Sequence, residues 1–391
     1  MMTDLTRQHL DCADPTPSSW SLLSRDPDGG LEPLFDGRRV AYSFNTRTAL
    51  REACDILGLQ PGDGVLAPAY NCGSELDPLL DAGLDIAFYR VDRRTCPDLA
   101  DIARRITPKT KAIYLIHYFG MLQPDTSALR ALCDEHGLFL IEDCALSLLS
   151  GDNPAEGFAG DVSVFCFYKL FPVLAGGAIV LNANGLNFQR PFDQPPPASL
   201  LRKPYIRMGL EAVLGPRTLR KLAMWRRKGR AVSTTFAEPG PHIDMPPGYY
   251  FDPALRSSRI SGFTKRALET FNPTQTRARR RENYQTYQTL LSDTAGIAPL
   301  YATLPETACP LSYPVLVEDR DALAARLSAR GIAATPWWSG YNQKLNWDGF
   351  DDAKFLKDHV LSLPCGQHLD RGHISLIMSE LTAALGTADP N

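Results

Sequence analysis

From Thr46 onward, short apolar runs alternate with segments of helical apolar spacing. Thr48 to Leu57 puts Ala49, Leu50, Ala53, Ile56 and Leu57 on one helical face, then stops at Gly58 and the turn Gln60-Pro61-Gly62-Asp63-Gly64. Strands follow at Val65 to Pro68, Ile86 to Val91, Ala112 to Phe119 and Leu138 to Asp143, separated by helices at Glu75 to Asp81, Pro97 to Ile106 and Thr126 to His136. A further apolar strand runs from Val162 to Lys169, with Gly176-Gly177 beyond it. This rhythm predicts an α/β domain with a largely parallel sheet and crossover helices. A long helical pattern spans Arg256 to Leu291. The rest reads as a smaller α+β unit, with a strand at Tyr313 to Val317, a helix at Arg320 to Arg330 and a closing helix at Ile374 to Leu385. The organisation expected is an N-terminal arm (1–40), a large domain (41–187), an insertion (188–252), linking helices (253–294) and a small domain (295–391).

The insertion breaks the pattern. Prolines bound it, and between them Arg202, Lys203, Arg207, Arg217, Arg220, Lys221, Arg226, Arg227, Lys228 and Arg230 face a single acid, Glu211. Leucines, Val213 and Trp225 interleave with these charges. A solvated basic helix, a lid over an anionic substrate, a docking surface for an acidic partner and peripheral membrane attachment all fit this composition.

At 391 residues the chain is long enough for two cores. A formal net charge of -3 argues against general nucleic-acid binding. No apolar run approaches the ~20 residues of a membrane span. Met1 to Asp14 is polar and acidic, unlike a signal or transit peptide. Nine cysteines are scattered without a C-x-x-C pair, and the seven histidines have no metal-ligand spacing. A reduced, cytoplasmic protein without a metal is expected.

The chemistry gathers at two strand ends. Glu142-Asp143 closes one apolar strand, and Lys169 closes another 26 residues later. Open α/β sheets bind ligands at the carboxyl ends of their strands. An acid and an amine brought there fit pyridoxal phosphate, the amine attaching the cofactor and the acid holding its pyridine nitrogen protonated. Residue types alone leave a structural ion pair as the alternative.

A set of ordered pieces narrows the choice. They are Thr48-Ala49-Leu50, Leu57-Gly58 with Pro61-Gly62-Asp63, Leu66-Ala67-Pro68-Ala69-Tyr70, Ala82-Gly83, Ile116-His117-Tyr118-Phe119-Gly120, Ile141-Glu142-Asp143, and Phe165-Cys166-Phe167-Tyr168-Lys169 with Gly176-Gly177. Arg279-Arg280-Arg281-Glu282-Asn283-Tyr284 and Leu363-Pro364 with Gln367 extend the match. The chain thereby resembles the DegT/DnrJ/StrS family of pyridoxal-phosphate-dependent sugar aminotransferases. That resemblance implies a fold type I transferase, with a mostly parallel seven-stranded sheet, a smaller C-terminal α+β domain and a homodimer.

It also implies roles. Lys169 becomes the Schiff-base lysine and proton shuttle, and Asp143 the partner of the pyridinium nitrogen. The phosphate is expected at the start of the Thr48 helix, near Thr46 and Arg47. Tyr70, Asn71 and Cys72 fall in the loop that supplies the group stacked on the ring. Leu146 stands where the family usually has Gln or His, and Cys166 where nearer relatives have Ser. Ser257 and Arg259 match residues that reach the neighbouring subunit's site, and His117 is a further substrate-side candidate. The implied reaction moves an amino group from an amino acid, commonly glutamate, to a nucleotide-linked keto-sugar. Altered pyridoxal-phosphate chemistry on another acceptor and a non-catalytic scaffold are the competing readings.

Overall fold

The computed structural model describes residues 26, 35, 37–151, 157–189, 192–214, 243–245, 251–292, 294–342 and 344–386. Seven strands form the main sheet: β1 (Arg39–Ser43), β2 (Gly64–Pro68), β3 (Asp85–Tyr89), β4 (Thr110–Ile116), β5 (Phe139–Cys144), β6 (Val162–Cys166) and β7 (Gly177–Leu181). Their order is β1-β7-β6-β5-β4-β2-β3. Neighbours from β3 to β6 pair in parallel, and β7 runs antiparallel to both β6 and β1. The expected mostly parallel, seven-stranded fold is the one observed. Strand β1 went unread, because its polar surroundings look like an arm up to residue 40. It adds to the sheet through backbone pairing with β7.

Both faces of the sheet are covered, which explains why its central strands are uninterrupted apolar runs. Val162, Val164, Ile179 and Leu181 enter one buried cluster with Leu50, Ile113 and Ile141. The alternate residues Phe165, Ala178 and Val180 enter a second cluster with Phe171 and Leu268. Helix α1 (Thr46–Ile56) turns Ala49, Leu50, Ala53, Cys54 and Ile56 inward. The crossover helices α2 (Asp77–Asp81), α3 (Leu99–Arg105) and α4 (Thr126–His136) fall inside or on the expected segments.

Two expectations change in detail. The strand expected to end at Lys169 stops at Cys166, and a turn carries Tyr168 and Lys169 beyond the sheet. The Arg256-to-Leu291 pattern divides into helices Gly262–Leu268 and Pro273–Leu291. Asn272 caps the second by accepting from the Gln275 N–H at 3.0 Å, and Pro273, which has no N–H to give, sits in its first turn.

Within the insertion, the described helix and strand are α5 (Ala198–Leu214) and the short β8 (Ile243–Met245); the expectation for residues 215–242 and 246–250 lies outside the described residues. The C-terminal unit is an antiparallel sheet of β9 (Ala298–Pro299), β10 (Tyr313–Leu316), β11 (Thr335–Pro336) and β13 (Val360–Leu363) around its own core of Tyr287, Tyr313, Leu323, Leu363 and Ile377. Strand β12 (Gly340–Asn342) pairs with β8 in parallel.

Candidate active site

An open pocket of about 540 Å³, mouth included, lies over the carboxyl ends of β4, β5 and β6. Ile116 ends β4, Asp143 stands near the end of β5 and Cys166 ends β6, and all three line it. Asn45, Thr46, Arg47 and Leu50 at the start of α1 close one side. Parallel pairing brings these positions together, since register sets Ile116 beside Asp143 and Asp143 beside Val164. The site therefore occupies the place that open α/β sheets reserve for ligands.

Helix α1 presents its open end to this pocket. Asn45 caps it, its Oδ1 accepting from the Thr48 N–H at 2.9 Å. Thr46 donates its hydroxyl to the carbonyl of Phe165 at 3.0 Å, which pins the helix start to the end of β6. Gly177 makes this approach possible: a Cβ there would stand 2.7 Å from the Thr46 nitrogen. Gly176 has φ +143, and a Cβ there would meet Phe167 and Thr264 at 3.0 Å. The Gly-Gly pair thus serves one backbone approach and one backbone angle.

Asp143 is held by two donors. The Tyr114 hydroxyl donates to Oδ2, and the Ala145 N–H donates to Oδ1 at 2.8 Å. Burial first, and then Asp143 itself, drive the Tyr114 phenol far above its ordinary range, so it remains a donor. Lys169 sits in the turn after β6. Burial alone would lower its ammonium, but Tyr168, Cys166, Cys72 and Asp143 around it outweigh that and raise it. The turn is anchored next door: Arg280 and Gln367 both donate to the carbonyl of Leu170, at 3.4 and 2.8 Å. Arg280 is buried, and it also holds the carbonyl of Leu311 at 2.9 Å. The basic run on the long helix therefore supplies a strut for the lysine turn.

The opposite wall comes from loops. Cys72 donates its thiol to Glu75 Oε2 at 2.5 Å, and its N–H donates to Oε1 at 2.8 Å. Burial, then Glu75, pushes the Cys72 thiol up to about 12, so it stays protonated. Burial likewise raises Glu75 above the usual carboxylate range. Trp338 reaches in from the C-terminal unit with φ +56, a backbone angle that bulky residues seldom adopt. Its ring packs on Tyr70 and Tyr118, with centroids 5.3 and 5.5 Å away.

One buried cation ties this wall together. The Lys357 ammonium donates to the carbonyls of Asn71 at 2.6 Å, Gly340 at 2.7 Å and Trp338 at 3.1 Å. Burial lowers it to about 8.

The expected residues divide accordingly. Lys169, Asp143, Thr46, Arg47, Cys72, Leu146 and Cys166 line the pocket. Tyr70 and Asn71 do not. Tyr70 is buried behind Trp338, and the Asn71 amide is spent on its own loop, donating to Pro68 and Ala69. His117 is also elsewhere, with Nδ1 accepting from the Gln123 N–H at 2.9 Å and Nε2 facing Glu142 at 3.0 Å. Ser257 and Arg259 lie near β1, outside this pocket, where Arg259 is exposed and its N–H donates to Gln194. Sequence reading assigned none of Glu75, Tyr114, Trp338 and Lys357 to the site. Lys357 stands among Asp351, Asp352, Lys354, Asp358 and His359, so no local pattern set it apart from an ordinary solvated lysine.

These residues fit pyridoxal phosphate: an amine, a fixed carboxylate and a helix N-terminus whose approach Gly177 permits.

Comparison with known proteins agrees. The DegT/DnrJ/EryC1/StrS aminotransferase family, whose aminotransferases use pyridoxal phosphate, matches residues 36–189 and 267–382. GDP-perosamine synthase of Vibrio cholerae is 35% identical over 144 residues, 36% of this chain and 39% of that protein. A dTDP-4-dehydro-2,3,6-trideoxy-D-glucose 4-aminotransferase of Saccharopolyspora spinosa is 29% identical over 250 residues, 58% of this chain and 64% of that one. The match thus spans less than two thirds of either relative. The crystal structure of the aminotransferase TlmJ from Streptoalloteichus hindustanus shares the fold with a TM-score of 0.66 at 22% identity, covering 97% of this chain and 99% of that one. With the pocket at its strand ends and more than half its length matched, the chain belongs to the DegT/DnrJ/EryC1/StrS aminotransferase family.

Proposed function

We propose that this protein is a pyridoxal-phosphate-dependent aminotransferase that takes an amino group from an amino acid, glutamate in this reading, and delivers it to the keto carbon of a nucleotide-linked sugar. The observation that carries the proposal is the convergence of Lys169, Asp143 and the first turn of α1 on one pocket. Bound there, the cofactor supplies an electron sink for a bond broken at the α-carbon. Lys169 would attach it and then move a proton at the substrate carbon, in its neutral form as acceptor and its ammonium form as donor. Asp143, oriented by Tyr114 and Ala145, would keep a proton on the ring nitrogen. The amides at Thr46 and Arg47 would hold the phosphate, helped by the helix dipole and the Arg47 guanidinium.

The acceptor class rests on the relatives, two of which are named for nucleotide-sugar products or substrates. A homodimer belongs to the same proposal, since Ser257 and Arg259 lie outside this chain's own pocket and suit residues that reach a partner's. The cysteines among the described residues are free thiols, which suits a cytoplasmic enzyme.

The test is the visible absorbance of the protein purified with pyridoxal phosphate, beside Lys169→Ala. A borohydride-reducible band is expected in the wild type, absent from the variant and bleached by glutamate. A wild type that takes up no cofactor defeats the reading. Bleaching by another amino acid alone replaces only the donor. Acceptors with and without a nucleotide handle then decide the second substrate.

A further inference from the structure

Five of the seven large apolar side chains that stand exposed among the described residues share one helix. Helix α5 exposes Leu200, Ile206, Leu210, Val213 and Leu214, with Val213 82% exposed. The helix has its packing side elsewhere: Met208 is buried, and the Tyr205 ring lies 5.6 Å from that of Phe263. At about 3.6 residues per turn, Ile206, Leu210, Val213 and Leu214 fall on the side opposite Met208. A helix with one face on the protein should turn polar groups outward. This one turns out branched aliphatic residues, interleaved with the exposed cations Arg202, Lys203 and Arg207. The sequence continues this composition through Arg217, Arg220, Lys221, Arg226, Arg227, Lys228 and Arg230 with no acid, in a chain whose formal net charge is -3.

We propose that α5 docks the protein on an anionic lipid surface, lying in the interface without crossing it. The aliphatic tips enter the acyl boundary, while Arg and Lys stems run along it and carry their charges to lipid phosphates. Charge complementarity selects this occupant, because each cation near such a surface adds attraction and the aliphatic stripe needs no shape match. A lid over an anionic substrate would aim cations at the pocket, and no residue of α5 lines it. No described helix is long and apolar enough to cross a membrane, so the attachment is peripheral.

The experiment is sedimentation of the full chain with vesicles of phosphatidylglycerol mixed into phosphatidylcholine, and with phosphatidylcholine alone. Wild-type protein should pellet with the anionic vesicles and release as salt rises. Two variants, Arg202→Glu/Lys203→Glu/Arg207→Glu and Ile206→Ser/Leu210→Ser/Val213→Ser, should each weaken partition by about tenfold or more. Both alter exposed positions, and unchanged circular dichroism and cofactor absorbance would show that they fold. A wild type that ignores anionic vesicles at low salt overturns the proposal, as does equal partition of wild type and variants. So does a change of oligomeric state in the variants without any vesicle binding by the wild type, which would assign the stripe to a second copy of the chain. Because the readout is partition, failure here leaves the catalytic reading untouched, and the reverse holds too.

Discussion

On one wall of the pocket, Asp143 and Cys166 stand at the ends of adjacent parallel strands, with Lys169 one turn further on. On the other, Cys72, Glu75 and Trp338 come from loops that no ladder aligns, and a single buried ammonium, Lys357, holds the backbone at Asn71, Trp338 and Gly340. The first wall is rigid because hydrogen-bonded strands and a packed core over-determine it. The second is held by side-chain contacts between loops, three of them from Lys357. In the proposed reaction, chemistry that must be placed to a fraction of an ångström would sit on the strand wall, and groups that shape the space on the loop wall.

Breaking the strand wall should cost most. Asp143→Ala is expected to slow the amine half-reaction by about 10²- to 10³-fold, read in single-turnover absorbance. Tyr114→Phe, which keeps the carboxylate and removes one of its donors, should weaken cofactor affinity by about tenfold. A half-reaction slowed as much by Tyr114→Phe as by Asp143→Ala would mean that Asp143 matters only as Tyr114's partner.

Breaking the loop wall at Lys357 should register first as stability. Lys357→Met strands three carbonyls, a loss of about 2–4 kcal/mol in denaturant unfolding at neutral pH. The pH dependence carries a sign. The folded-state ammonium is lowered to about 8, whereas an unfolded chain's lysine titrates near ~10.4. Between those values the unfolded chain binds more protons, so wild-type stability gains with rising pH relative to the variant, on the order of 3 kcal/mol across the window. Below pH about 8 both states carry the proton and the difference is flat. A difference that shrinks as pH rises through this window would refute the downward shift of the Lys357 ammonium.

The smallest effect is expected at Trp338. Trp338→Ala removes a pocket surface without touching the proton-handling groups, so the donor's KM should rise about threefold to tenfold while kcat holds within about twofold. A matching fall in kcat would move Trp338 into the chemistry and blur the distinction between the walls.

What could be read in advance follows the same division. Strands β2 to β6 and helices α1 to α4 were legible because apolar periodicity is a local signal, and burial on both faces makes the central strands unbroken runs; β7, beyond the Gly176-Gly177 pair, was not read as a strand. Asp143, Lys169 and the Gly176-Gly177 pair were legible because sheet topology alone sends strand ends to one edge. Thr46 and Arg47 followed from the helix start they occupy. Tyr70, Asn71 and His117 were read from the right loops and strands, but whether a side chain faces the pocket or its own backbone depends on turn geometry. In Asn71 the amide folds back on Pro68 and Ala69, and in His117 both ring nitrogens are engaged behind the site.

The sequence by itself determined the α/β class, the order of the main elements and the lysine–aspartate pair, because each is encoded in runs of adjacent residues or in the strand ends they produce. Only the tertiary structure decided that Tyr114 orients Asp143, that Arg280 and Gln367 brace the turn of Lys169, and that Lys357 joins the two loops of the opposite wall. Each of those contacts links residues far apart in the chain through buried polar atoms. Such atoms must find partners wherever packing places them, and no local pattern announces which partners those will be.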